Sequence, residues 1–463
     1  LGSGCGDPCR ICATVGTSAA LRVVIPCPTD GRTSKSSSSS SSNGGLGGKV
    51  ASVVAASEGS SNPTAAAAAV AVELRAVQFL GADSRTPPEL LVAVSRQFAG
   101  RVVVDLDEEA VKEAASQLLN LRCESVVVHF LHAYANPDHE RRAVEILRDV
   151  WPNDYITAGH ELLSEYREYE RGVTAAVNAA VRPILHRYVD RLQSELTQEG
   201  FRRDFLVMNG NGGMVSARLV DREAAKTVMS GPASGVMAAA HAAKRAGIDN
   251  LITYDMGGTS TDVALVMDAI PAVSNELDVE YAMPIHVPMV DVRTIGSGGG
   301  SIAAVSDAGL LKVGPESAGA SPGPICYGRG GAEPTITDAN LLLGRLNPEN
   351  LLSMENAPSL DAIRGTFDDK IAGPLSIDTD AAAGAVIRVA NDRMAGAIRI
   401  VSISKGHDPR DFTLFAFGGA GPLHAVALAR ELGIPRVLVP TRPGITNALG
   451  CVVADVRHDF VRT

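Results

Sequence analysis

The feature that most constrains the fold is a polar glycine turn set between two apolar runs, within residues 251–267. The first run is rich in residues that favour strands and ends at Asp255, and the second begins after Asp262. Gly257 and Gly258 lie between them and let the backbone turn, because glycine tolerates positive φ angles. The pattern predicts a strand, a polar turn and a second strand.

This turn carries groups that suit an anion bound together with a metal ion. Its consecutive backbone N–H groups and the hydroxyls of Thr259, Ser260 and Thr261 are donors for phosphate oxygens. The carboxylates of Asp255 and Asp262 can hold a hydrated Mg²⁺ beside them. The predicted ligand is therefore a metal-bound polyphosphate, and an ordinary surface hairpin is the alternative.

A second glycine turn follows a buried run near the end of the chain. Gly418, Gly419 and Gly421 come directly after this run, and Pro422 opens a helix that ends near Gly433. Such an arrangement directs a helix N-terminus at a ligand. The spacing is not the Gly-x-Gly-x-x-Gly of a Rossmann fold, and no Gly-x-x-x-x-Gly-Lys-Ser/Thr segment occurs, which excludes a Walker loop.

Charge and composition exclude other classes of partner. The formal net charge is −10 and no basic stretch is concentrated, which argues against nucleic-acid binding. No apolar run approaches the roughly 20 residues that a membrane-spanning helix needs. Cys5, Cys9 and Cys12 have the spacing of an iron–sulfur cluster motif, but accidental thiols are the preferred interpretation. We expect a soluble, cytoplasmic protein.

The amino-terminal part of the chain has the composition of a linker. Residues 1–95 include seven consecutive serines at 36–42, then a glycine-rich stretch and an alanine run. We expect this segment to be disordered, as a truncated or mis-spliced terminus; an organellar transit peptide is the alternative. From about Leu106, helix and strand patterns alternate, which predicts an α/β layer.

Two further stretches are candidate sites. Residues 159–171 lead into a long helix and contain Glu161, Glu170 and Arg171, although charges at this spacing also solvate a helix face. The strand that includes Asp291 ends in three adjacent glycines, which are Gly298, Gly299 and Gly300. Adjacent glycines mark places where the backbone closely approaches a ligand or another strand.

These motifs together resemble one family. The segment Asp-Met-Gly-Gly-Thr-Ser-Thr-Asp-Val at 255–263 resembles the phosphate-2 loop of the actin, heat-shock-protein and sugar-kinase ATPase superfamily. Within it, the segment is similar to the hydantoinase A / 5-oxoprolinase / acetone carboxylase family. Residues 159–171, the Thr-Asp-Ala-Asn at 337–340 and the turn at 418–421, similar to the superfamily's adenosine motif, follow the family's order. The resemblance covers roughly residues 100–463.

The resemblance implies an α/β fold of the actin-like ATPase type, with two ribonuclease-H-like lobes and nucleotide between them. It implies ATP and Mg²⁺ as cofactors, with Asp255 and Asp262 as metal-holding and catalytic residues and the nucleoside against Gly418, Gly419 and Gly421. The implied reaction opens a cyclic amide or imide, such as a hydantoin or 5-oxoproline, by phosphorylating the amide oxygen. The implied substrate contacts are Asp291, Gly298, Gly299, Gly300, Glu161, Glu170 and Arg171. A hydantoinase B-type subunit or domain is the implied partner, and a homo-oligomer stays open.

The chain also departs from the family's pattern. Residues 1–100 contain no Asp-x-Gly-Gly-Thr hairpin, and the chain reaches Thr463 without the family's carboxy-terminal region. Arg293 replaces a usual histidine, and arginine cannot ligate a cation. We therefore expect an incomplete first lobe and the division 1–95 without a domain, 96–200 as the remnant of an N-terminal domain, and 201–463 as the ATPase domain. A ketone carboxylase subunit and a non-catalytic nucleotide-binding fragment remain alternatives.

Overall fold

The computed structural model describes residues 101–278, 284–348 and 359–459, together with the backbone of five short strands between residues 13 and 98. The serine run, the amino-terminal cysteines and the expected targeting or linker segment therefore lie outside the described residues. In the part that is described, no helix is both long and apolar enough to cross a membrane.

The first part of the chain forms a six-stranded mixed sheet with helices beside it. Its elements are β1 (Ala13–Val15), β2 (Ala20–Val24), β3 (Val50–Val54), β4 (Val77–Leu80), β5 (Arg96–Phe98), β6 (Arg101–Val104), α1 (Glu108–Asn120), β7 (Val126–Val128), α2 (Asp138–Val150), β8 (Ile156–Ala158), α3 (Gly159–Leu162) and α4 (Glu168–Gln198). The sheet order is β4-β3-β2-β1-β7-β8, and β5 pairs separately with β6. The pairs β4–β3, β3–β2 and β2–β1 are antiparallel, whereas β1–β7 and β7–β8 are parallel.

Strands β1 to β4 differ from the expectation that residues 1–95 add no regular structure. Strands β1 and β2 form an antiparallel pair within residues 1–100, where the sequence analysis found no Asp-x-Gly-Gly-Thr hairpin. Each strand has only three to five residues, and long polar or low-complexity stretches separate β2 from β3 and β3 from β4, so composition alone does not reveal these strands. Valine-rich runs such as Val50–Val54 still favour strands, and β2 and β4 are the strands that pair with this one.

The alternation of helices and strands predicted from about Leu106 is confirmed between residues 107 and 158. Helix α1 begins where the Asp107 side chain accepts a hydrogen bond from the Ala110 N–H, at 3.0 Å. Its buried face, with Val111 and Leu118, packs against β7 and α2 around Phe130 and Leu147. Helix α4, the long helix predicted after residues 159–171, continues through Pro183 without a break.

The second part of the chain is built around the predicted hairpin. Its strands and helices are β9 (Leu206–Met208), β10 (Met214–Ser216), α5 (Ala217–Val220), α6 (Ser230–Ala246), β11 (Leu251–Met256), β12 (Thr261–Met267), β13 (Ile270–Pro271), β14 (Val273–Ser274), β15 (Leu277–Asp278), β16 (Pro284–Ile285), β17 (Met289–Val290), β18 (Val292–Ile295), β19 (Ser301–Val305), β20 (Leu311–Ser317), α7 (Ile336–Leu342), α8 (Leu360–Phe367), α9 (Gly373–Leu375), α10 (Thr379–Val401), β21 (Thr413–Phe417), α11 (Gly421–Leu432), β22 (Arg436–Leu438) and α12 (Thr446–Val453).

The two main sheets share one topology. In the second, β18, β12 and β11 are antiparallel neighbours, and β11, β21 and β22 run parallel, with β13 at the edge of β12. The order β18-β12-β11-β21-β22 repeats the order and directions of β3-β2-β1-β7-β8. The predicted α/β class is confirmed, with the same strand arrangement occurring twice.

The alternation of side chains along β11 shows on which face of the sheet Asp255 lies. Ile252 and Tyr254 belong to the core that α10 and α11 cover, whereas Leu251 belongs to the core beneath α6. Successive strand residues point to opposite faces, so Asp255 shares the α6 face with Leu251. The fold therefore presents Asp255 at the carboxyl end of a buried strand, on the side that α6 covers.

Candidate functional site

Asp255 and Asp262 lie directly opposite each other across the β11–β12 hairpin. The next pair in register is Met256 with Thr261, so the polar turn follows at once. Like charges that face each other across a strand pair destabilise it. The hairpin therefore concentrates negative charge that a cation or a proton can neutralise.

Burial raises the pKa of both acids. It raises the pKa of Asp262 to about 6, although a hydrogen bond from Thr294 lowers it and the charge of Asp255 raises it further. The Thr294 hydroxyl donates to Asp262 Oδ1 over 2.5 Å. Burial also raises the pKa of Asp255, and a hydrogen bond from Asn447 opposes that change. Both carboxyl groups thus hold protons more tightly than free aspartate does.

The triple-glycine loop lies against the turn of the hairpin. The N–H groups of Gly299 and Gly300 donate to the carbonyls of Gly257 and Gly258, at 3.0 and 2.6 Å. A Cβ atom at Gly298 would lie 2.5 Å from the backbone nitrogen of Thr259, so a larger residue has no room there. The predicted close approach of this loop is confirmed, and the neighbour is the turn backbone.

These contacts fix the direction of the turn's peptide groups. In a planar trans peptide the C=O and the following N–H point in opposite directions. Because the carbonyls of Gly257 and Gly258 face the loop, the N–H groups of Gly258 and Thr259 face away from it. Both residues are exposed, so these donors are open to a ligand.

The structure corrects the prediction that the Thr261 hydroxyl is one of the donors of the turn. Its side chain is fully buried, and its hydroxyl donates to the Ser297 carbonyl over 2.5 Å. Thr261 and Asp262 are neighbours on β12 and point to opposite faces of the sheet. The hydroxyl therefore holds the glycine loop and lies on the opposite face of the sheet from Asp262.

The second glycine turn meets the hairpin at Asp255. Gly418 has φ of +80°, and a Cβ atom there would lie 2.3 Å from Asp255 Oδ1. The Ala420 N–H donates to the Met256 carbonyl at 3.0 Å. Gly421 begins α11, and a Cβ atom at this position would lie 3.3 Å from the Tyr254 carbonyl oxygen. The N-terminus of α11 thus reaches the carboxyl end of β11.

Helix α12 supplies a site residue that sequence reasoning missed. The Asn447 amide nitrogen donates to Asp255 Oδ2 at 3.0 Å. Gly235, near the start of α6, lies against Asn447, so the N-terminal ends of α6 and α12 reach the same region. Helix N-termini carry partial positive charge. Asn447 follows Pro443 and Gly444 at a helix start, and this polar helix opening is the only local signal that could have identified it.

Asp291 and Arg293 lie on β18 or beside it, away from the turn. Asp291 forms an ion pair with Lys405. It precedes Thr294 by three positions, which is a distance of about 10 Å along a strand that rises about 3.3 Å per residue. Arg293 is exposed and pairs in register with Val263, so it points to the opposite face from Thr294. Of the predicted residues on this strand, none meets the acid pair, whereas Thr294, which was not predicted, does.

Glu161, Glu170 and Arg171 belong to the first part of the chain. Arg171 is fully buried and donates to the carbonyls of Glu165 and Phe130, at 2.7 and 2.9 Å. Glu170 pairs with Arg167 at 3.1 Å, and Glu161 is exposed at the rim of a cavity of about 680 Å³. The hydrogen bonds and the ion pair of Arg171 and Glu170 lie within residues 130–171, and Glu161 lies at the cavity. None of these three residues is placed at the β11–β12 hairpin by these contacts.

Comparison with known proteins points to the same family that the motifs resemble. Residues 171–460 match the model of the hydantoinase/oxoprolinase family, and residues 71–151 match that of the hydantoinase/oxoprolinase N-terminal region. The chain is 39% identical over 395 residues to caprolactamase subunit alpha of Pseudomonas jessenii, covering 82% of this chain and 56% of that protein. It is 33% identical over 411 residues to 5-oxoprolinase 1 of Arabidopsis thaliana, covering 84% and 32%.

Two solved structures resemble the fold. The ATP-dependent caprolactamase from Pseudomonas jessenii matches with a TM-score of 0.70 and 37% identity, covering 81% of this chain and 56% of that one. Nucleotide-free acetone carboxylase matches with a TM-score of 0.69 and 29% identity, covering 80% and 53%. The chain spans about half the length of both solved chains.

Proposed function

The chain belongs to the hydantoinase/oxoprolinase family, and from that premise we propose that it binds Mg·ATP at the hairpin and uses it to open a small cyclic amide or imide. Hydantoins, 5-oxoproline and lactams are the substrate classes that the proposal covers. One observation carries it: Asp255 faces Asp262 at the end of a hairpin where helix N-termini and open N–H donors also meet.

The acid pair fits a magnesium ion. Two facing carboxylates with raised pKa values are stabilised by a divalent cation between or beside them. Within the described residues, no group of three or more His, Cys, Asp and Glu side chains is arranged to hold a metal. This suits Mg²⁺, which commonly takes one or two carboxylates and completes its shell with water and phosphate oxygens. When bound, the ion would neutralise charge on the transferring phosphoryl group.

The remaining groups have roles that their positions support. The outward N–H groups of Gly258 and Thr259, with the Ser260 hydroxyl, would hold phosphate oxygens. Gly418 and Gly421 would lie against the nucleoside, since the turn brings backbone close to Asp255 without a side chain in the way. We infer that the two sheets of shared topology form two lobes with the nucleotide between them.

The chemistry addresses the low reactivity of an amide. Resonance makes its carbonyl carbon a poor electrophile, and transfer of the γ-phosphoryl group of ATP to the amide oxygen, leaving ADP, removes that resonance. Water then adds at the carbon, the ring C–N bond breaks with a proton going to nitrogen, and phosphate is released. In such a transfer the protein acts mainly by positioning and by neutralising charge.

A ketone carboxylase reaction is the second candidate, and a specific observation favours it. The acetone carboxylase structure matches this fold almost as well as the caprolactamase does, with TM-scores of 0.69 and 0.70. That enzyme carries out ATP-dependent acetone carboxylation, so the same fold serves activation of a different carbonyl group. Bicarbonate would then be the second substrate.

We also propose a partner subunit. Relatives at 39%, 36% and 31% identity are named caprolactamase subunit alpha, acetophenone carboxylase gamma subunit and acetone carboxylase beta subunit. Each name describes one chain of a larger enzyme. A hydantoinase B-type subunit is the partner that the cyclic amide reaction would require here.

The deciding experiment measures phosphate release from ATP by the chain with a B-type subunit added. Hydantoin, 5-oxoproline, caprolactam and acetone are tested separately, each with and without bicarbonate. The proposal expects stimulation by a cyclic amide that does not depend on bicarbonate and is lost in Asp255→Asn. Stimulation by acetone only when bicarbonate is present establishes the second candidate, and Mg·ATP binding without stimulation by any compound overturns both reactions.

A further inference from the structure

The Asp255 carboxylate is held from two sides. The Asn447 amide donates to Oδ2 at 3.0 Å, and the backbone at Gly418 lies against Oδ1. Rotation about the bond that carries a carboxylate is only weakly restricted by rotamer preference. A fixed orientation of this group therefore depends on its neighbours, and Asn447 is the neighbour that donates a side-chain hydrogen bond to it.

Asn447 is itself held in place by the packing of α12 on α6. A Cβ atom at Gly450 would lie 1.7 Å from the Ser234 carbonyl oxygen, so the two helices are in backbone contact there. A Cβ atom at Gly235 would lie 2.7 Å from Asn447 Oδ1 and 2.6 Å from a ring carbon of Phe417. The amide thus occupies a slot between α6 and Asp255 that leaves little freedom to move.

We infer that Asn447 is a positioning residue that keeps the Asp255 carboxylate in one orientation toward the magnesium–phosphate ligand. This inference rests on the proposed function. It assigns α12 a role in the site although Asn447 lies 192 positions after Asp255 in the chain. Asparagine suits the role because its amide donates a hydrogen bond without adding charge beside the acid pair.

The experiment compares the parent chain with Asn447→Ala and with a matched control, Asn250→Ala. Asn250 precedes β11 at its opposite end, where its side chain accepts a hydrogen bond from the Asp268 N–H at 3.3 Å. Calorimetry gives the Kd for ATP in EDTA and in excess Mg²⁺, and the ratio of the two is the gain that magnesium provides. We expect Asn447→Ala to reduce this ratio about tenfold, or about 1.4 kcal/mol, with little change of the Kd in EDTA. The control should keep the parent ratio.

The outcomes separate the inference from the proposed function. A parent ratio near one shows that magnesium adds nothing and overturns the proposed function itself. A clear parent ratio that Asn447→Ala leaves intact overturns only the positioning role, and so does an equal loss in EDTA and in Mg²⁺, which indicates general damage to the site. Should Asn447→Ala fail to fold, Asn447→Ser serves: it keeps a polar residue at the helix start, but its hydroxyl is too short to reach Asp255.

Discussion

Gly418 lies so close to Asp255 that a Cβ atom at position 418 would be 2.3 Å from the carboxylate oxygen Oδ1. The residue also has φ of +80°, which other residues adopt only with strain. Gly418→Ala should therefore displace the Asp255 carboxylate and weaken Mg·ATP binding by at least tenfold, as measured by calorimetry. It should also lower the melting temperature.

Gly419→Ala is the matched control. A Cβ atom there would meet no described atom within 4 Å, and Gly419 is not among the glycines with positive φ. We expect a nearly parental melting temperature and a smaller loss of Mg·ATP binding than in Gly418→Ala, because Gly419 lies in the turn that the resemblance places against the nucleoside. Equal losses of binding and melting temperature in both variants would mean that the turn tolerates no added side chain. The contact between Gly418 and Asp255 would then not explain the effect of Gly418→Ala.

Asp255→Asn tests the charge of the acid pair. The substitution is nearly isosteric but removes one negative charge next to the bound metal, so affinity for Mg·ATP should fall. Because it also removes the repulsion between facing carboxylates, the melting temperature without nucleotide should stay the same or rise. Asp291→Asn, which affects an ion pair with Lys405 on another part of the sheet, is the control. Unchanged Mg·ATP affinity in Asp255→Asn would rule out the metal-binding role.

A pH titration of stability tests the environment of Asp262. Burial raises its pKa to about 6, so the folded state holds the proton more tightly than the unfolded state does. The stabilisation from this proton is fully present below pH 4 and is lost as the pH rises through about 6. Without nucleotide or Mg²⁺, the folded protein should lose on the order of 1–2 kcal/mol between pH 5 and 8 through this group.

Asp262→Asn should remove this part of the pH dependence. Asp268→Asn, in the exposed turn just after the same strand, should retain it. Urea unfolding at pH 5, 6.5 and 8 gives the free energies of unfolding. If Asp262→Asn follows the parent at all three values, Asp262 does not titrate in this range.

Local pattern was sufficient to predict the hairpin. The strand, glycine turn and second strand at 251–267 follow from residues that are neighbours in the chain, and so does α11 after Pro422. The buried position of Thr261 could also have been predicted, because strand alternation separates it from Asp262. The error was to treat all three hydroxyls of the segment as part of the turn.

Thr294 and Asn447 could not be predicted in the same way. Thr294 reaches Asp262 because β18 pairs with β12 in one register, and a shift by one residue would bring Arg293 or Ile295 there instead. Asn447 reaches Asp255 through helix packing, which no local pattern encodes. Strands β1 to β4 of the first sheet escaped prediction for another reason: they are short and lie within stretches whose composition is that of a linker.

Arg171 provides a test of whether the first part of the chain contacts substrate. Its fully buried guanidinium donates to the Glu165 and Phe130 carbonyls and pairs with Glu168, whose pKa is raised by burial. Lysine keeps the charge but cannot reproduce this fork of donors. Arg171→Lys should therefore lower the free energy of unfolding by about 2 kcal/mol, because a buried carbonyl loses its partner. The gain in ATP affinity from Mg²⁺ should be unchanged.

The control for Arg171 is Arg167→Lys, in an exposed pair with Glu170 at 3.1 Å. Exposed ion pairs contribute little, so this variant should lose less than about 0.5 kcal/mol. Urea unfolding and amide-stimulated phosphate release are measured on both variants. Parental stability together with lost substrate stimulation in Arg171→Lys would show that the residue contacts substrate. A loss of stability, with turnover per folded molecule retained, would show that it acts by holding the loop at Phe130 and the segment at Glu165 against α4.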